Sequence, residues 1–217
     1  MTRFLFVFIL GAASCFGQPF SAGIKVGMPL SDLVNAGTSG NFNFSAQTNR
    51  YIFGGTAELR LPFGLGVEVD ALYRHLSYTG AGSIVGLTTT TQSISTTSNA
   101  WEFPILAKYR FSKEGPLRPY VSGGLAWNTL QGLKQVVTTG NLATGTNTTA
   151  STSSPAELNH STTRGIVLGA GVDIHALVIH IVPELRYTRW GAQNILDANG
   201  GIHSNQNQAE FLVGFTF

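Results

Sequence analysis

The chain has 217 residues and a formal net charge of +2, with 11% charged residues and 26 glycines. A typical soluble domain carries about 25% charged residues, and the near-neutral balance gives no reason to expect nucleic acid or an acidic partner. The length suffices for one domain with its own core.

Met1 to Gly17 reads as a cleaved signal peptide. Arg3 supplies the positive start, Phe4 to Leu10 is an unbroken apolar run, and Gly11, Ala12, Ala13, Ser14 and Gly17 are small. The run is too short for a spanning helix, which needs about 20 residues. Cleavage after Gly17 leaves residues 18–217 as the mature domain and removes Cys15, the single cysteine. In the competing reading Cys15 is lipidated after Ala12-Ala13-Ser14, although Ala stands where that motif usually has Leu.

The rest of the chain alternates with period two, the signature of strands with one apolar face. The first strand is expected near Phe20 to Met28, followed by a long loop from Pro29 to Asn49. The second runs from Arg50 to Leu61, turns at Pro62-Phe63-Gly64 and leads to the third, Leu65 to Tyr78. A Thr/Ser-rich loop over Thr79 to Thr97 precedes the fourth strand, Ser98 to Phe111, and a short charged turn, Ser112 to Leu117. The fifth strand is expected over Arg118 to Thr129, and the longest loop, Leu130 to Thr163, is a Thr/Asn/Ser/Gly tract. The sixth, Arg164 to Ile174, and the seventh, Leu177 to Trp190, are joined at His175-Ala176, in a register that sets Asp173 against Val178 and Gly171 against His180. After a loop from Gly191 to Gln206, Ala209 to Phe217 forms the eighth.

Short turns and long loops thus alternate between eight strands. This asymmetry is expected of an all-β, eight-stranded antiparallel up-and-down transmembrane barrel, with periplasmic turns and outer loops. An even count puts both termini in the periplasm. Pro104, Pro119 and Pro183 cut against a continuous ladder, because each removes one donor and a closed barrel has no edge to hold it. Bulges or strand ends must absorb them.

The last stretch carries Phe211, Val213, Phe215 and Phe217 on one face. Ending on a large aromatic in mid-strand resembles the closing strand of bacterial outer-membrane barrels. Trp101-Glu102-Phe103-Pro104-Ile105-Leu106-Ala107-Lys108-Tyr109-Arg110-Phe111 resembles the middle strand of the outer membrane protein β-barrel domain group, related in build to OmpA-type and opacity-porin barrels. Gly169-Ala170-Gly171-Val172-Asp173, followed by Pro183-Glu184-Leu185-Arg186-Tyr187-Thr188, is similar to that group's sixth and seventh strands. The resemblance spans Phe20 to Phe217. It implies residence in the outer-membrane lipid and recognition of the C-terminal strand by the barrel-assembly machinery, and it says little about activity. The alternative from the alternation alone is a soluble sandwich with charged residues outside.

The polar strand faces hold Lys25, Arg60, Arg74, Lys108, Arg110, Arg118 and Arg186, and Glu58, Glu68, Asp70, Glu102, Asp173, Glu184 and Glu210. The signs balance one for one. An eight-stranded barrel is only wide enough for side chains to fill, and a charge removed from water needs a partner. An interior charge network that plugs the lumen is therefore expected, with a narrow ion path as the alternative. Tyr51, Trp101 and Trp127 fall on the opposite face and suit an aromatic girdle.

His75 and Ser77 lie by parity on the lipid face. A His-x-Ser pair at such a place is similar to the outer-membrane lipid A deacylase family, but Tyr78 replaces that family's following Asn, and the third group is not identifiable from sequence. His180 is expected to pack or hydrogen-bond inside, and His203-Ser204-Asn205 falls in a loop. Scattered histidines and a mature chain without cysteine support no metal or cofactor site. The expected function is a monomeric, non-enzymatic barrel with a structural or surface-interaction role through its loops. Their composition buries too little apolar area to offset ordering, so Leu133 to Leu158 is expected to be dispensable.

Overall fold

A computed structural model describes residues 20–47, 50–85, 89–112, 115–176, 179–197 and 201–217. The signal peptide, Cys15 and the cleavage point before Gln18 lie outside the described residues.

In chain order the strands are β1 (Phe20–Pro29), β2 (Val34–Ala36), β3 (Thr38–Ser39), β4 (Phe42–Ala46), β5 (Ile52–Arg60), β6 (Leu65–Ile84), β7 (Thr90–Arg110), β8 (Leu117–Asn141), β9 (Thr146–Thr152), β10 (Thr162–Ala176), β11 (Ile179–Trp190), β12 (Ile202–Ser204) and β13 (Asn207–Thr216). Eight of them, β1, β5, β6, β7, β8, β10, β11 and β13, pair antiparallel in sequence and close when β13 meets β1. Ala22 and Phe217 exchange two backbone hydrogen bonds, of 3.2 and 3.1 Å, at that seam. The expected closed eight-stranded barrel is therefore the fold, and no α-helix occurs among the described residues.

The alternation decides which face goes where. Ile24, Phe53, Val69, Ile105, Leu125, Ile166, Leu168, Leu185 and Phe215 are exposed on the outside, whereas Lys25, Glu68, Asp70, Glu102, Lys108, Glu184, Arg186 and Glu210 are buried inside. This inverts the pattern of a soluble protein and suits a lipid solvent.

The prolines are absorbed in two ways. The ladder between β6 and β7 skips Asp70 and Ala71 opposite Phe103 and Pro104. The ladder between β10 and β11 skips Val172 and Asp173 opposite Val182 and Pro183. In each gap a proline stands where a donor would be needed. Pro119 sits near the start of β8, beyond the end of β7, and its carbonyl accepts from the Phe111 amide at 3.0 Å.

Three expectations are corrected. The tracts at Thr79 to Thr97 and after Leu130 are not simple loops. β6 and β7 run on as a paired hairpin to Ile84 and Thr90, and β8 continues to Asn141 and pairs with β9. Threonine favours extended backbone whichever face it is on, so these strands form without alternation in polarity. The β10–β11 register differs by four residues: Gly171 stands opposite Glu184, and His175 opposite His180. Residues 177 and 178, which fill the connection, lie outside the described residues. A shift of four preserves parity, so the inward and outward faces are unchanged.

The third correction concerns the long-loop end. Leu33 and Val34 from the first loop and Ile195 and Ile202 from the last are buried against Leu76, Tyr78, Ala100 and Leu130, with Leu133 and Leu158 packed at the margin. β2 pairs with β12, Leu158 bridges to Ile195, and the Asn205 amide donates to the Leu33 carbonyl at 3.0 Å. Three loops thus knit one apolar cap across the mouth.

Candidate functional site

The lumen below the cap is filled by charged side chains in three tiers. The middle tier holds three cations and three carboxylates. Lys25 Nζ lies 2.5 Å from Glu68, 3.1 Å from Asp70 and 3.1 Å from Glu184. Arg186 reaches Asp70 at 2.8 Å, Glu184 at 3.1 Å and Glu68 at 3.3 Å. Lys108 pairs with Glu68 and sits 4.3 Å from the centre of the Tyr120 ring. Tyr120 donates its hydroxyl to Glu184 at 3.2 Å.

Towards the turn end, Arg110 bridges Glu58 at 2.6 Å and Asp173 at 3.2 Å, and His180 Nδ1 lies 2.7 Å from Asp173 Oδ1. Arg60 is half-buried, 4.0 Å from Glu58. Towards the loop end, Arg74 lies 2.7 Å from both Glu102 and Glu210, and donates to Gln208 at 3.1 Å.

The expected interior residues are thus brought together with one exception. Arg118 is half-exposed at the turn end, and its Nε donates to the Gly115 carbonyl at 3.2 Å. Glu184 and Arg186 meet each other, Lys25, Glu68 and Asp70. The four-residue register difference moves all of β11 towards the turn end, which sets His180 beside Asp173 and brings Glu184 down from the level of Val167 to that of Gly171 and Tyr120. Sequence reading left Tyr120 and Gln208 out of the network. Tyr120 shares the inward parity of Ser122 and Gly124; Gln208 lies just before the expected start of the last strand.

Room for these side chains comes from glycines on the inward face of β10. A Cβ on Gly171 would stand 2.5 Å from the Pro183 carbonyl oxygen and 2.6 Å from the Tyr120 hydroxyl; one on Gly169 would stand 2.4 Å from Ser122 Oγ and 2.7 Å from Glu184 Oε1.

Between the charges and the cap lies a small cavity of about 10 Å³, bordered by Leu76, Asn128, Leu130, Trp190 and Ile195. That is about the room of one water.

On the outer wall, Tyr51, Phe53, Tyr73, Trp101 and Phe103 form a chain of ring contacts with centroids 5.1–6.3 Å apart. Trp127 continues it as the cross-strand partner of Phe103. Phe211, Val213 and Phe215 face outward between the side chains of β1 and β11, and Phe217 is exposed. His75 and Ser77 are half-buried on the outward face; His75 Nδ1 lies 3.3 Å from Asn99 Oδ1, which also accepts from the Tyr73 hydroxyl at 2.8 Å. No group of three or more His, Cys, Asp or Glu suited to a metal ion occurs among the described residues.

A family model described as "Outer membrane protein beta-barrel domain" matches residues 16–197. No curated protein matches the chain. Among solved structures, the outer membrane protein OprG from Pseudomonas aeruginosa is similar at 12% identity and a TM-score of 0.51, over 91% of this chain and 92% of that one. Neisserial surface protein A (NspA) is similar at 13% identity and a TM-score of 0.46, over 91% and 96%. Ail of Yersinia pestis, solved with the heparin analogue sucrose octasulfate, is similar at 8% identity and a TM-score of 0.36, over 91% and 99%. At such identities the OprG likeness speaks for the fold alone.

Proposed function

The chain belongs to the outer membrane protein β-barrel domain family and resides in the cell outer membrane, and on that premise we propose that it is a plugged, non-enzymatic, monomeric barrel whose long-loop end faces outward for surface interaction. The observation that carries this reading is Arg186, 2% exposed and within 3.3 Å of three carboxylates from two walls. A lumen in which cations and carboxylates close directly on one another leaves little room for hydrated ions. The apolar cap supports the same reading, because it covers the mouth with Leu33, Val34, Ile195 and Ile202.

Surface interaction is supported by the hairpins that rise past the cap. β9 is exposed along its whole length and presents Thr, Ser and Asn, a solvated surface suited to contact with other surfaces. His75 and Asn99, joined with Tyr73, serve in this reading to anchor the aromatic belt.

The test is bilayer conductance of the purified, folded full chain, with folding verified by a heat-dependent shift in gel mobility. Currents should stay at background; large, steady single-channel currents would overturn the plug in favour of a channel. Orientation is tested separately. A cysteine at Thr149 should react with an impermeant maleimide on intact cells, and one at Phe63 should not. Altered lipid A in cells expressing the wild type but not His75→Ala would overturn the non-enzymatic reading.

A further inference from the structure

The outer wall is apolar along β10 and β11 except for two exposed arginines near their loop ends. Arg164 is the backbone partner of Trp127, and Arg189 that of Ile166. Both point outward by the parity of Ile166 and Tyr187. Gly165 pairs with Trp190, so the two arginines are diagonal neighbours, which lie roughly 7–8 Å apart. Neither meets a carboxylate among the described residues. Arg189 donates to Asn207 Oδ1 at 2.6 Å, an atom that also accepts from the Tyr187 hydroxyl at 2.8 Å. The lumen's carboxylates are turned the other way.

Directly beneath this pair the wall is hollowed. Ala170 and Ala209 are small where their neighbours are large, and with Leu30, Leu168, Leu185 and Tyr187 they border an apolar groove of about 420 Å³. Tyr187 is the cross-strand partner of both Leu168 and Ala209, so the groove ends one outward row below Arg189. An uncompensated guanidinium pair at the level of aromatic residues, above an apolar furrow open to lipid, matches the layout of a phosphorylated acyl lipid. The guanidinium forks suit phosphate oxygens, and the furrow suits a hydrocarbon chain.

We propose that Arg164, Arg189 and the groove below them bind a phosphate-bearing, multiply acylated lipid of the outer leaflet. Charge complementarity selects the headgroup: two cations without a carboxylate favour an anionic lipid over a neutral one. The assignment of leaflet rests on the outward orientation of the long loops; the binding itself does not.

The experiment uses the full chain folded in neutral detergent, with lipid retention read by native mass spectrometry. The probes are bisphosphorylated hexa-acyl lipid A, the same lipid without phosphates, and inorganic phosphate. Wild type should retain the phosphorylated lipid and lose most retention when the phosphates are absent. Arg164→Gln with Arg189→Gln should weaken retention roughly tenfold or more, the usual consequence of losing charge-assisted hydrogen bonds. Ala170→Phe, which fills the groove from the outside, should weaken it as well. Each variant must keep the heat-dependent gel shift, and should, because these side chains lie outside the lumen.

Equal retention of phosphorylated and dephosphorylated lipid by wild type would overturn the proposal without any variant. So would undiminished retention by the double arginine variant, or displacement of the lipid by inorganic phosphate at matching concentration, which would mark an anion site only. Undiminished retention by Ala170→Phe would overturn the groove's part in it. Because the assay is in micelles, it is independent of the maleimide test of orientation.

Discussion

Leu158, near the end of the longest polar tract, is bridged through its backbone to Ile195 of the last loop, and the Leu196 amide donates to the Glu157 carbonyl at 2.8 Å. The long loop is therefore held at its base and free only at its tip. Removing residues 139–148, which leaves the cross-strand pair Thr138 and Thr149 to be joined, should leave barrel and cap intact, because none of these residues belongs to the apolar cap. Ile202→Ala should instead cost the cap roughly 2–5 kcal/mol, the usual range for emptying a buried aliphatic site. Hydrogen exchange should rise across Val34–Ala36 in that variant and stay unchanged in the tip deletion. Equal exchange in both would mean that the cap does not depend on its apolar contacts.

Arg186→Ala should strand Glu68, Asp70 and Glu184 around a missing cation. Loss of one partner from a buried ion group costs about 3–5 kcal/mol, whereas Lys134→Ala, at an exposed position on the outer part of β8, should cost roughly 0.5 kcal/mol or less. Glu184→Ala should resemble Arg186→Ala, since it leaves Lys25 and Arg186 with one acceptor fewer. Urea midpoints of the folded proteins in one detergent give the comparison; similar midpoints for all three variants would contradict the energetic role of the network.

Gly171→Val places a branched side chain against the Tyr120 hydroxyl and the Pro183 carbonyl, and should lower stability by roughly 1–3 kcal/mol, as overpacking does. Gly55→Val, where a Cβ meets nothing within 4 Å, serves as the control and should change the midpoint far less. A neutral Gly171→Val would show that the tier around Tyr120 can shift without cost.

Deletion of Phe217 removes both hydrogen bonds to Ala22 and the terminal aromatic. The amount of folded protein in the outer-membrane fraction should fall several-fold, while the midpoint of what does fold should move little. Wild-type amounts would remove the last residue from any part in assembly.

The wall was readable from the chain because a single variable, the alternation of apolar and polar residues, separates lipid from lumen. The cap was not. Leu33, Val34, Ile195 and Ile202 stand in polar tracts with no period around them, and only contact between distant loops gives them a common interior. A second loss of signal occurs on β8. The β7–β8 ladder shifts register between Thr97 and Asn99, where Gly132 adopts a φ of +62°. The buried residues of β8 are even-numbered up to Leu130, and the next buried one is Gln135. A pattern read in twos breaks at such a bulge, so the strand appeared to end at Thr129. The partners of Arg186 were hidden for another reason. Parity says that a side chain points inward, and only the register says at what height.

The seam between β1 and β13 joins the first and last strands of the described barrel, so it has no neighbour in sequence to guide it. Until both ends of the chain are present, β1 and β13 each expose a row of unpaired amides and carbonyls, the kind of template on which strands from other molecules add. A sheet that forms before this seam closes would carry two adhesive margins. In a crowded preparation the competitor to closure is a second copy of the same sheet, and dilution during refolding should raise the yield of closed barrels.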